Sequence, residues 1–283
     1  MSLKTLFFLT LTLALLVTGC TAQLTATSAE MEAVSEAPTS APAEPVELSV
    51  FAAASLSESF KEIGKLFEAQ HPSVTVVFNF AGSQQLVQQI NEGAPADVFA
   101  SANPKLMDAA FDAGGIISET QQTFAKNRLV VIYPQDNPAS LKELKDLAKS
   151  GLKLVLAAKE VPVGGYSLDF LDKASSDPTF GTTFKDDVLA NVVSYEDNVK
   201  AVLTKVALGE ADAGIVYTSD ISGKDASKVD RLEIPDALNI IASYPIALVK
   251  DSKNPELAQA FIDLVLSQAG QDLLGKYNFI PVK

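Results

Sequence analysis

The chain has 283 residues, 20% of them charged and 47% hydrophobic, with 22 basic side chains against 35 acidic ones. A formal charge of −13 excludes nucleic acid as a partner, because phosphate backbones are held by a basic face. No Ser-His-Asp or Cys-His constellation is visible, because the one histidine would have to serve and the one cysteine lies at the end of the N-terminal apolar run, so the chain is read as a binder and not an enzyme.

Lys4 is followed by an almost unbroken apolar run from Leu6 to Val17 and then by Thr18, Gly19 and Cys20. The run is too short to span a bilayer and has the charged start and small-residue end of a secretory signal. Its end resembles a bacterial lipobox, which implies a signal peptide over 1–19, lipidation of Cys20, and an extracytoplasmic location on the periplasmic or outer face of a membrane. A lone thiol on an exported protein otherwise invites unwanted pairing. Residues 20–46, rich in Ala, Thr, Ser, Glu and Pro, bury too little to order themselves and read as a flexible, lipid-anchored tether. Loss of the signal removes Lys4 and no acid, which moves the formal charge from −13 to −14. An anion must then be held by local geometry, since the overall field repels it.

From Glu47 onward strands and helices alternate. Leu48 to Ala53 reads as a strand, and Ser55 as the N-cap of a helix whose apolar positions are Leu56, Phe60, Ile63, Leu66 and Phe67. His71 falls in the loop that ends this helix and reads as a solvated surface residue. Val74 to Phe80 is a second strand, followed by a helix carrying Leu86, Val87 and Ile90 and ended by Gly93. Ala96 to Ala100 is a short strand, and Asn103-Pro104 starts a further helix. Leu129 to Tyr133 is strand-like, and Ser140 with Glu143 suggests a capping box for a helix over 141–149.

The pattern then begins again. Lys153 to Ala157 is a strand, Val161 to Gly165 a turn, and a short helix is expected from about Tyr166. Val188 to Ser194 is a strand, and Asp197-Asn198 opens a helix with Val199, Val202, Leu203 and Val206 on one face. Gly214 to Tyr217 and Ile240 to Val249 are strands, and Pro255 to Tyr277 supplies one or two closing helices. Such alternation predicts an α/β fold of two lobes, each a mostly parallel sheet flanked by helices, with a ligand cleft between them. The expected lobes are 47–128 with 240–283, and 129–239, hinged at the strands near Leu129 to Tyr133 and Ile240 to Val249. A faint repeat supports two similar halves: Ser83 precedes Asp97 by 14 residues, as Asn198 precedes Asp212. The two aspartates are expected to bond nearby backbone.

The distinctive feature is a set of strand-to-helix turns made of small and hydroxyl residues: Ala52 to Ser55, Ala81 to Ser83, Val163 to Gly165, and Asp197-Asn198. Small residues let a ligand approach the backbone, and helix starts offer unpaired N–H groups at the positive end of a dipole. Several of them converging make an uncharged anion trap.

The strings Val50-Phe51-Ala52-Ala53-Ala54-Ser55-Leu56, Gly93 to Phe99 and Gly214 to Asp220 resemble those of the periplasmic molybdate-binding proteins of ABC importers, and the likeness runs from about residue 47 to 283. The resemblance implies a monomeric binding protein, without a cofactor or a bare metal ion, that takes molybdate or tungstate and passes it to an ABC permease and its ATPase. It also implies the ligand-binding set: the hydroxyls of Ser55, Ser83 and Tyr217 and the backbone N–H groups of Val163 and Asn198. Family members often carry alanine at the position of Val163 and an apolar residue at that of Asn198; both contacts run through the backbone. A donor-only site suits a fully deprotonated oxyanion, whereas hydrogen phosphate brings a proton that needs an acceptor. The rival readings are sulfate, ferric iron, which would want clustered tyrosinates and carboxylates, and a surface lipoprotein without a transport role. The six tyrosines are dispersed in the sequence.

Overall fold

The computed structural model describes residues 44–282; Cys20, the signal and most of the tether lie outside the described residues. In the first half, β1 (Val46–Ala53), β2 (Val74–Ala81) and β3 (Val98–Ala100) alternate with α1 (Ser57–Gln70), α2 (Ser83–Asn91) and α3 (Pro104–Asp112). Each helix turns its apolar stripe to the sheet: Phe60, Ile63 and Phe67 of α1 are fully buried, and so is Leu86 of α2. β1 pairs parallel with β2 and β3, as crossover helices require.

β4 (Gln122–Pro134) is far longer than the five residues predicted from the sequence. The second half adds β5 (Leu154–Ala157), α4 (Pro162–Ser176), α5 (Phe184–Leu189), β6 (Val192–Glu196), α6 (Val199–Ala207), β7 (Ala213–Tyr217) and β8 (Val229–Glu233). β9 (Ile241–Leu248), α7 (Pro255–Leu266), α8 (Gln268–Lys276) and β10 (Ile280–Pro281) complete the chain. β5 pairs parallel with β6 and β7. The parallel βαβ parts are therefore joined by antiparallel strands: β9 lies between β3 and β4, while β7, β8 and β10 also pair with β4.

The strand β4 serves both halves. Residues up to Arg128 pair with β9, and from Leu129 onward the partners are β7 and β8. At the changeover the side chain of Asn239 replaces a strand: it accepts from the Leu129 N–H at 3.0 Å and donates to the Leu129 carbonyl at 2.9 Å. Without it two buried backbone groups would be unpaired. β9 pairs with β3 and with β4 up to Arg128, and residues 234–240 connect it to β8.

Some local expectations yield to longer-range packing. Ser140 has a positive φ of 53° and caps nothing; Glu143 instead precedes a short 3₁₀ turn, Leu144–Ala148, where Asp146 accepts from the N–H groups of Lys142 and Glu143. Val188 ends up in α5, not in a strand. His71 is half-buried, stacked on Phe67 and bonded to its carbonyl. Asp97 and Asp212 accept from the N–H groups of Ser49 and Lys153, both at 2.8 Å, so each ties a strand start to its neighbour in the same way. No helix among the described residues is long and apolar enough to cross a membrane.

Candidate functional site

One cavity is walled by the starts of three helices and one 3₁₀ turn. Ala53 to Ser55, Gly82-Ser83, Val161 to Val163, Asn198-Val199 and Tyr217 line it. All five residues that the resemblance singled out thus meet around one space. The cavity is small, about 10 Å³, on the scale of one water-sized sphere and far too little for a sugar or a peptide.

Each donor is positioned by its element. Ser83 is the first residue of α2, and its hydroxyl oxygen accepts from the Ala102 N–H at 3.0 Å. That lone pair is occupied, so its own proton is free to point into the cavity. α4 begins at Pro162, four residues before the predicted start, because proline needs no N–H partner at a first helical position. Val163 is consequently the second helical residue, where the helix itself offers its N–H no acceptor. Asn198 caps α6, its side-chain oxygen accepting from the Ala201 N–H at 3.0 Å. This leaves the Val199 N–H at the mouth of the helix, beside the cavity.

Ser55 departs from its predicted role. It sits in a 3₁₀ turn, Ala54–Leu56, before α1 and makes no cap. Its hydroxyl lies 2.9 Å from that of Tyr244 on β9, and both are buried. Tyr217 ends β7, and its hydroxyl is buried without a hydrogen-bond partner. Burial, reinforced by the phenol of Tyr244, raises its pKa well above the ordinary range, so the group remains a neutral donor. Two of the six tyrosines that look dispersed in the sequence come together here, with the rings of Tyr217 and Tyr244 at 5.8 Å. Burial raises the Tyr244 pKa as well.

None of the residues that line the cavity is charged. The nearest cation in sequence, Lys200 on α6, is engaged elsewhere: it lies 2.7 Å from Glu58 on α1 and 3.3 Å from the fully buried Asp220. Burial raises the Asp220 pKa, with Lys200 opposing it. Burial also works against the Glu58 charge, but the Lys200 ammonium outweighs it and holds that carboxyl below its ordinary value. The Glu58–Lys200 pair joins the two halves beside the cavity.

Two small residues serve packing between backbones. A side chain at Gly82 would meet the Asp197 carbonyl at 2.4 Å, where the two halves touch, and Gln84 donates to the same carbonyl at 2.9 Å. A side chain at Gly164 would meet the Ala158 carbonyl at 2.0 Å. Sequence reasoning assigned such residues to ligand approach. Tyr244 and its partner Asn127 were not singled out, although a phenol at the head of the apolar run Pro245 to Leu248 signals a buried hydroxyl in need of a partner.

Two α/β halves sharing a long strand around a small, uncharged, donor-lined cavity define a solute-binding protein. The chain belongs to the family of bacterial extracellular solute-binding proteins, whose profile matches residues 48–280. It is 37% identical over 249 residues to the molybdate-binding protein ModA of Mycobacterium tuberculosis, covering 87% of this chain and 90% of that one. It is 30% identical over 276 residues to a Bacillus subtilis protein assigned as the ABC transporter substrate-binding lipoprotein YvgL, covering 97% and 96%. Among solved structures, the substrate binding domain assigned to a molybdenum ABC transporter of Clostridium difficile superposes with a TM-score of 0.61 at 32% identity, covering 84% of this chain and all of that one.

Proposed function

We propose that this chain captures molybdate, or the nearly isosteric tungstate, and delivers it to the permease and ATPase of an ABC importer. The observation that carries the reading is the convergence of Ser55, Ser83, Tyr217 and the starts of α4 and α6 on one cavity without a charged lining residue. The functions of the relatives agree with it. Moving a dianion out of water is costly, so many hydrogen bonds must replace its hydration shell. The cavity offers hydroxyl and N–H donors, and a deprotonated oxyanion satisfies them all. Ser55 and Ser83 act from the first lobe, 47–128 with 240–283; the Val163 and Asn198 N–H groups and Tyr217 act from the second, 129–239. Contacts from both lobes favour the closed arrangement, and that differential affinity drives closure.

In this reading the protein is a monomeric binder and not a catalyst, and Cys20 carries the lipid that holds it at the outer face of a membrane. A titration panel of molybdate, tungstate, sulfate, phosphate and ferric ion tests it. Molybdate and tungstate are expected to bind and to raise the melting temperature, since a ligand of the folded state stabilises it. Equal shifts with phosphate, or none with any oxyanion, would refute the reading. Mass spectrometry of the mature membrane-bound protein tests the anchor: a diacylglyceryl modification on Cys20 is expected, and an unmodified N-terminus contradicts it.

A further inference from the structure

Behind the cavity runs a chain of hydrogen bonds whose direction is set at its far end. The Asn127 side-chain oxygen accepts from the Arg128 N–H at 3.0 Å and from the Thr218 hydroxyl at 3.0 Å. A backbone N–H can only donate, so this contact decides which way the amide faces. The amide nitrogen of Asn127 is therefore at the other end, where it donates to the Ser219 hydroxyl at 2.8 Å and to the Tyr244 hydroxyl at 3.4 Å.

Tyr244 is fully buried. Its oxygen receives a proton from Asn127, so its own proton needs an acceptor, and the Ser55 hydroxyl at 2.9 Å is the one in bonding geometry. Tyr217 makes no such bond despite its proximity. The opposite sense, with Ser55 donating to Tyr244, would strand a phenol proton in the interior, and a buried unmade hydrogen bond is expensive. Ser55 thus accepts from Tyr244, and its own proton turns to the cavity that it lines.

We propose that Tyr244 and Asn127 are positioning residues that fix Ser55 as a hydrogen-bond donor, and thereby set the preference of the site for an oxyanion without protons over one that carries a proton. The inference rests on the oxyanion reading above, in which Ser55 touches the ligand. Without the relay the Ser55 hydroxyl is free to rotate and present a lone pair, which a protonated oxyanion satisfies. With the relay reversed, it must present one.

The test is calorimetric titration of the purified full chain with sodium molybdate and with inorganic phosphate, in mildly alkaline buffer where molybdate carries no proton and phosphate carries one. Tyr244→Phe removes the relay. Asn127→Asp reverses it, because a carboxylate accepts the Tyr244 proton and obliges Ser55 to donate backwards. The ratio of molybdate to phosphate affinity is expected to fall roughly tenfold or more in Tyr244→Phe, the worth of one hydrogen bond to a charged group, and further in Asn127→Asp. Thermal melts confirm that each variant is folded, and Tyr244→Phe decides the matter if the buried charge of Asn127→Asp prevents folding. A purely structural role would lower both affinities by the same factor and leave the ratio unchanged, which overturns the inference while the functional reading stands. Wild-type protein that binds neither molybdate nor phosphate would overturn both.

Discussion

Replacing Tyr217 with phenylalanine separates binding from stability. The hydroxyl is buried and has no partner within the protein, so the ligand-free fold carries the cost of desolvating it, about 1–3 kcal/mol for a buried group without a hydrogen bond. The ring keeps its packing against Tyr244 at 5.8 Å when only the oxygen is lost. Ligand-free Tyr217→Phe is therefore expected to melt at the wild-type temperature or a few degrees above it, since about 1 kcal/mol moves a domain of this size by roughly 2–4 °C. Molybdate binding, in contrast, loses a hydrogen bond to a charged oxygen, about 1.5–3 kcal/mol, which weakens affinity roughly 10- to 150-fold. Differential scanning calorimetry of the ligand-free protein and isothermal titration with molybdate measure the two quantities. A ligand-free melting point several degrees below wild type, or wild-type affinity for molybdate, would refute the assignment of this hydroxyl as a donor held in reserve.

Ser83→Ala should behave oppositely in the ligand-free state: it strands the buried Ala102 N–H and is expected to cost about 1–3 kcal/mol of stability in denaturant melts, besides weakening molybdate. Gly82→Ala places a methyl group 2.4 Å from the Asp197 carbonyl; both the ligand-free melting temperature and the molybdate-induced rise are expected to fall, and melts that match wild type would show that the halves need not touch there. Glu58→Gln tests the ion pair between the halves. The Glu58 pKa is lowered in the folded protein, so its contribution is present above its ordinary value of 4.5 and is lost as the pH falls through the folded value. Wild type is expected to exceed Glu58→Gln by about 0.5–1 kcal/mol near neutrality, the scale of a partly exposed pair, with the two stability curves converging below that ordinary value.

Much of the fold is legible locally. Asn103-Pro104 and Asn198 announce helix starts because a short polar side chain and a proline satisfy the first turn from within a few residues. Asp97 and Asp212 recur at one offset, and both perform the same strand-joining bond. Errors cluster where distant packing competes with a local signal. Ser55 looks like a cap in the sequence but turns to Tyr244, 189 residues away. Val161 to Gly165 looks like a turn, yet Pro162 seeds a helix whose early glycine admits the Ala158 carbonyl.

By itself the sequence determined the alternation of strands and helices, the starts of α2 and α6, and the acidic balance of the chain, since these follow from periodicity, capping and charge. Only the tertiary structure decided that β4 would divide its pairing at Leu129 and that the halves would meet at Gly82. It also decided that an amide on β4 would set, through Tyr244, which way the Ser55 proton points. Those outcomes depend on which residues the topology brings together, and a hydrogen bond acquires its direction only when both its ends are in place.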